Sequence, residues 1–133
     1  MDPWVQPIYQ NLFTLYDKVK VEKFIADGKI EIVPVSFMRG RTFLDSCVIV
    51  DEAQNVTHEQ MEMITTRLGL RSKMIICGDD HQIDLKKKAD SGFKYLYKAS
   101  RKVKSLEAIT LTSNHRNEIV EDLRDYYMDN PIY

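Results

Sequence analysis

Cys47-Val-Ile-Val50-Asp51-Glu52-Ala53-Gln54 is the stretch on which the fold turns. A short unbroken apolar run is the pattern of a strand buried on both faces of a parallel sheet. Two adjacent carboxylates follow at its carboxyl end, where open α/β sheets bind their ligands. Thr57 then opens a helix, and Gln60 three residues on completes a capping box. Met61, Ile64 and Leu68 form the apolar face of that helix, and Gly69 reads as its stop. Lys73-Met-Ile-Ile-Cys77 is the next buried strand.

Downstream, residues 91–102 suit a helix with Phe93, Leu96 and Tyr97 facing inward. Ala108-Ile-Thr-Leu-Thr112 reads as a strand, and Asn114 as the cap of a last helix from His115 to about Tyr127. Upstream, Val5, Ile8, Leu12 and Leu15 recur at helical spacing, which predicts a helix from Pro3 to Leu15 with Pro7 in its first turn. A second helix spans Val19 to Ala26, with Gly28 as its stop. Ile30 to Val35 is β-branched and reads as a strand, kept from the sheet centre by Pro34. Strand and helix alternate from Val48 onward, so the expected class is α/β, a mainly parallel sheet flanked by helices.

The chain has 133 residues, enough for one domain over 1–133 with a real core. Its net charge of −1 gives no global attraction to nucleic acid or membrane, so any such binding must come from a local patch. There is no run of 18 apolar residues and no signal-peptide pattern at Met1-Asp2-Pro3-Trp4. Cys47 and Cys77 form no CxxC pair and are expected as buried, reduced thiols of a cytoplasmic protein.

The carboxylates carry the chemistry. An Asp at a strand end can hold Mg²⁺, and the next residue can orient an attacking water, which is the Walker B arrangement of phosphoryl transfer. One strand later, Gly78-Asp79-Asp80-His81-Gln82 follows. Gly78 allows close backbone approach, and Asp79 and Gln82 are in reach of a γ-phosphate or its attacking water. Either motif alone is a common turn; the two on successive strands, in this order, match the DEAQ and GDxxQ elements of helicase-like ATPases. Asn114-His115-Arg116 opens the last helix, where an arginine can stabilise transition-state charge or simply meet solvent. Arg39-Gly40-Arg41-Thr42 is a second arginine-bearing turn, a phosphate or nucleic-acid contact or a solvated loop.

Taken together, Phe37-Met-Arg-Gly-Arg-Thr-Phe43, Val48-Ile-Val-Asp-Glu-Ala-Gln-Asn55, Glu59-Gln-Met61, Thr66-Arg-Leu-Gly69, Ser72-Lys-Met74, Gly78-Asp79 and Gln82-Ile-Asp-Leu85 resemble the PhoH-like, phosphate-starvation-inducible ATPases. Asp2-Pro-Trp and Pro7-Ile-Tyr are similar to that family's opening segment, and the likeness weakens after about Ser100. The resemblance implies a RecA-like P-loop NTPase fold, ATP and Mg²⁺ as cofactors, and a link to RNA metabolism. It implies Asp51 as the metal residue, Glu52 as the catalytic base, Gln54, Asp79 and Gln82 as γ-phosphate and water sensors, and Arg116 as a sensor or finger arginine. The family's phosphate-binding loop, G-x-x-x-x-G-K-[ST], has no counterpart here. Gly28-Lys29 is followed by Ile30, and Lys23 stands where the first glycine belongs. The expectation is therefore a partial P-loop fold, the Walker B and sensor half of an ATPase, inactive alone. Such a half is either missing an N-terminal segment or is a natural short form, and its exposed edges favour oligomerisation.

Eight basic residues lie between Lys86 and Lys104, with Tyr95 and Tyr97 interleaved. They read either as a patch for RNA or single-stranded nucleic acid or as a solvated helix face. The three histidines lack zinc spacing. Asp79, Asp80 and Asp84 near Asp51 make a weak two-metal pattern that no further acidic motif supports.

Overall fold

The computed structural model describes residues 5–132. The expected helix start at Pro3 and the Asp2-Pro-Trp segment lie outside them. Two compact units divide the chain, residues 1–98 and residues 99–133.

The first unit opens with α1 (Gln6–Leu15) and α2 (Lys18–Ala26), which pack on each other. Pro7 sits in the first turn of α1, where its missing N–H has no bond to lose. Asp17 caps α2 by accepting from the Val19 and Lys20 N–H groups. Gly28 follows at φ +69°, the left-handed step that ends the helix.

Ile30–Val35 is not a strand. Its backbone finds no ladder partner among the described residues, and a 3₁₀ turn over Val35–Phe37 takes its end. Phe37 N–H donates to the Pro34 carbonyl at 2.9 Å and Met38 N–H to the Val35 carbonyl at 3.1 Å, so these backbone groups are met locally. Val33 and Val35 still pack half-buried against the core, which is what the β-branched pattern was reporting.

The sheet is β1 (Cys47–Val50) paired in parallel with β2 (Lys73–Ile76), with Cys47 opposite Lys73 and Val50 opposite Ile76. α3 (His58–Thr65) makes the crossover, and its capping box is complete: Thr57 Oγ1 accepts from the Gln60 N–H and the Gln60 side chain accepts from the Thr57 N–H. Met38, Val50, Ala53, Val56, Met61 and Ile64 form the buried core, with Phe93 and Leu96 of α4 (Gly92–Ala99) packed on it.

Several expectations are corrected here. Only one face of the sheet is buried: Ile49 is 67% and Ile75 48% exposed. Cys47 and Cys77 lie on that outward face and are exposed thiols. Leu68 is 39% exposed, because α3 ends at Thr65 before its register reaches the core. Gly69 is not a helix stop. It runs beside Phe43, donating its N–H to the Phe43 carbonyl at 2.7 Å, so close that a Cβ would lie 2.6 Å from that oxygen. Tyr97 is 44% exposed, since α4 ends at Ala99 and only Phe93 and Leu96 of its face reach the core.

The second unit holds α5 (Glu118–Asp129). Its cap is Asn117, whose side chain accepts from the Ile119 N–H at 3.1 Å, rather than Asn114. Ala108–Thr112 is not a strand: Ile109 and Leu111 are 75% and 87% exposed, and no ladder partner is present among the described residues. No helix among the described residues is long and apolar enough to cross a membrane.

Candidate functional site

Parallel pairing brings the two motifs together. The ladder continues past both strands: Cys77 N–H donates to the Val50 carbonyl at 2.8 Å, and Ala53 N–H to the Cys77 carbonyl at 2.9 Å. Asp51-Glu52 and Gly78-Asp79 are therefore anchored side by side at the carboxyl end of the sheet.

Asp51 and Glu52 are both exposed. Glu52 adopts φ 52°, ψ 37°, a left-handed conformation that costs a non-glycine residue on the order of 1 kcal/mol. Asp51 Oδ1 accepts the Glu52 N–H at 3.0 Å, which helps hold that turn. Such strain is kept where the direction of a side chain matters.

Gln54 is buried beneath them, at 1% exposure. Its Nε2 donates to Glu52 Oε2 at 2.6 Å, and its Oε1 accepts the Asp79 N–H at 3.1 Å. A longer contact of 3.4 Å runs from Nε2 to the Gln82 carbonyl. The loop is closed by its own side chains: Gln82 Nε2 donates to Asp79 Oδ2 at 2.7 Å, and His81 N–H to Asp79 Oδ1 at 3.0 Å. Gly78 lets this loop lie close, because a Cβ there would stand 3.1 Å from each of Gln54 N, Gln54 Oε1 and Phe93 Cε2. Glu52, Gln54, Asp79 and Gln82 thus form one hydrogen-bonded group, with Asp51 next to it on the chain.

This strand-end group sits within a match to a known family, and the match covers most of the chain. The profile of the family described as PhoH-like protein matches residues 1–128. The chain belongs to the PhoH-like protein family. It is 38% identical over 129 residues to the PhoH-like protein of Mycobacterium tuberculosis, covering 96% of this chain and 37% of that protein. It is 42% identical over 120 residues to the PhoH-like protein of Bacillus subtilis, covering 90% and 37%. Protein PhoH of Escherichia coli is 42% identical over 92 residues, covering 68% and 26%. The chain therefore spans little more than a third of the length of the PhoH-like relatives it matches.

Arg39 and Arg41 of this PhoH-like chain pair with acidic residues outside the group. Arg41 is held in a two-pronged pair with Glu31, Nη1 to Oε1 at 2.9 Å and Nη2 to Oε2 at 2.8 Å, and lies over the Phe43 ring. That hydrogen-bonded pair holds the Glu31 carboxyl below its usual pKa. Arg39 is exposed and stands 3.8 Å from Glu59. Arg116 belongs to residues 99–133 and precedes α5 by two positions, instead of opening the helix. Its N–H donates to Asn114 Oδ1 at 3.2 Å.

Among the described residues, the one group of three potential metal ligands with atoms mutually within 4.8 Å is Asp79, Asp80 and His81. Neither Asp51 nor Asp84 is part of it, so the two-metal pattern is not assembled here. Lys94 Nζ lies 3.4 Å from Asp80 Oδ2 and partly offsets its charge.

Two residues of the site escaped the sequence reading. Ser91, 3% exposed, donates its hydroxyl to the Gln54 carbonyl at 2.7 Å. Asn55 Oδ1 accepts the Asp84 N–H at 2.8 Å and fastens the far side of the 79–84 loop. The adjacent small pair Ser91-Gly92 was the available signal for the first, since small buried residues mark close packing of two segments.

Proposed function

We propose that this chain is the acidic, water-positioning half of a PhoH-like ATP-binding and ATP-hydrolysing protein linked to RNA metabolism, and that it does not turn over ATP alone. The observation that carries this reading is the joined group at the sheet's carboxyl end: Glu52 fixed through Gln54 to the Asp79–Gln82 loop, with Asp51 alongside. Asp51 offers exposed, hard carboxylate oxygens of the kind Mg²⁺ prefers, so the donor chemistry fits that ion. When bound, Mg²⁺ neutralises charge on the transferring phosphates. Glu52 is the group that takes a proton from the attacking water, held by the Gln54 amide. Gln82 and Asp79 line the adjacent loop, where a γ-phosphate and its water are to be sensed. Arg39 and Arg41 are candidate phosphate contacts and Arg116 a candidate charge-stabilising arginine; Arg41 must first leave Glu31.

A phosphate cradle and its lysine are the parts that this sequence lacks. The decisive experiment measures Mg²⁺-dependent ATP hydrolysis for this chain alone and for the chain joined to a segment bearing G-x-x-x-x-G-K-[ST]. The expected result is turnover only in the joined protein, abolished by Asp51→Ala. Equal turnover without that segment, or none with it, overturns the reading.

A second reading is an RNA or single-stranded nucleic-acid module. Tyr95 of α4 is 68% exposed, with His58 edge-on to its ring, and Tyr97 is 44% exposed; Lys86, Lys87, Lys88, Lys94 and Lys98 of the same unit are exposed as well, the mix of aromatic and basic side chains that single strands bind. Arg101, Lys102 and Lys104 fall in residues 99–133. Nucleotide-independent, salt-sensitive RNA binding is its signature.

A further inference from the structure

A side-chain amide has two N–H donors and one carbonyl acceptor, and burial makes each unmet one costly. Gln54 meets its needs entirely with atoms of the two motifs. Its N–H groups face a carboxylate, Glu52, and a carbonyl, that of Gln82; its oxygen faces an N–H, that of Asp79. The reverse orientation would set oxygen against carboxylate and N–H against N–H, so the partners determine which way the amide points. At 1% exposure the side chain has no face left for a ligand.

The main chain of Gln54 is equally fixed. Ser91 Oγ holds its carbonyl at 2.7 Å, and the preceding residue, Ala53, donates its N–H to the Cys77 carbonyl at 2.9 Å. The amide therefore cannot swing out without breaking both the loop contact and the Glu52 contact.

We infer that Gln54 is a positioning residue, a rigid bridge that transmits displacement of the 79–82 loop to the Glu52 carboxylate, and not a direct contact to nucleotide. The functional weight of that bridge rests on the reading of Glu52 as the water-activating group. The bridge itself is independent of it. A loop that shifts on meeting a phosphate would carry the carboxylate with it.

The test needs no nucleotide. In the isotopically labelled chain, the Glu52 side-chain carboxyl ¹³C and the Gln54 side-chain amide resonances are followed by NMR. Gln82→Ala removes the side-chain bond that closes the loop on Asp79 and keeps the main-chain carbonyl that the Gln54 amide faces. The expected result is that Gln82→Ala moves the Glu52 carboxyl resonance by more than its linewidth. In a Gln54→Leu background, of similar shape without the amide, the same change leaves Glu52 where it was. Equal movement in both backgrounds, or none in either, overturns the inference. Should Gln54→Leu fail to fold, Glu52→Ala decides it: the Gln54 amide protons must shift and exchange faster with solvent, and unchanged Gln54 resonances refute the bridge. A chain that passes this test and yet shows no ATP turnover when completed would refute the nucleotide reading alone.

Discussion

Replacing Gly92 by alanine should destabilise the chain by about 2 kcal/mol, although the same change at the start of a helix usually helps. Gly92 is buried at the first position of α4, where its N–H donates to the Val56 carbonyl at 2.9 Å. An added Cβ would lie 2.7 Å from Met61 Cβ, 3.0 Å from the Thr57 carbonyl oxygen and 3.2 Å from His58 Cα. None of these is the end of a flexible side chain, so relief requires α4 to move off α3. Overpacking of this kind costs about 1–3 kcal/mol, and the fixed neighbours place it near the upper end. Alanine returns about 0.5–1 kcal/mol through helix preference and the unfolded state. The difference is a loss near 2 kcal/mol, a large share of a domain stability of about 5–15 kcal/mol. Urea unfolding followed by far-ultraviolet circular dichroism should show a midpoint lower by about 1 M at unchanged slope. Gly40→Ala serves as the contrast. A Cβ there meets nothing within 4 Å, but φ is +80°, so its cost of about 1–2 kcal/mol is backbone strain. Asparagine, which tolerates left-handed backbone, should recover part of that loss at position 40 and none at 92. A Gly92→Ala chain as stable as the parent would refute the steric account of the α3–α4 contact.

Further outcomes are expected elsewhere. Ser91→Ala leaves the Gln54 carbonyl without its hydroxyl donor and should lower stability by about 1–3 kcal/mol in thermal or urea unfolding; an unchanged midpoint would mean water replaces the hydroxyl. In the complete ATPase, Glu52→Gln should keep ATP binding and reduce turnover about 100-fold or more, and undiminished turnover removes Glu52 from the base role. The Asp45 carboxyl is held below its ordinary pKa by its hydrogen bond from Arg71, and Glu31 likewise by Arg41. Both contributions are present above the ordinary carboxylate range of about 4 and are lost as pH falls through the lowered values. Arg71→Ala should therefore flatten the acid limb of a stability–pH curve below about pH 4 and leave its slope near neutrality unchanged. Substituting Lys86, Lys87 and Lys88 together by glutamate should weaken single-stranded RNA binding and reduce its salt dependence, measured by fluorescence anisotropy; unaltered affinity would dismiss the second reading.

The parts of the fold legible in the sequence were those written in local chemistry. Cys47–Val50 and Lys73–Ile76 announce themselves as apolar runs of strand length, and Thr57 with Gln60 announces a helix start. What was not legible depended on partners. Ile30–Val35 and Ala108–Thr112 have the composition of strands, but a strand exists only if a neighbouring backbone completes its ladder. Asn114 and Asn117 are both capable caps three residues apart, and composition does not choose between them. The depth of Gln54 was hidden for a similar reason. Its side chain is met by a loop 25 residues away in sequence, brought there by the β1–β2 register, and its main-chain carbonyl by a serine further still. The motif residues marked where chemistry belongs, while the geometry among them came from pairing.

The outward face of the sheet has a practical consequence. Cys47 begins one strand and Cys77 follows the other, with Ile49 and Ile75 between them, so the two thiols flank the open apolar surface. A thiol-reactive dye is then a built-in gauge of whether that surface is shielded. Labelling rates for both cysteines, read residue by residue by mass spectrometry, would record any polypeptide laid across the sheet, without adding a tag or altering a single residue.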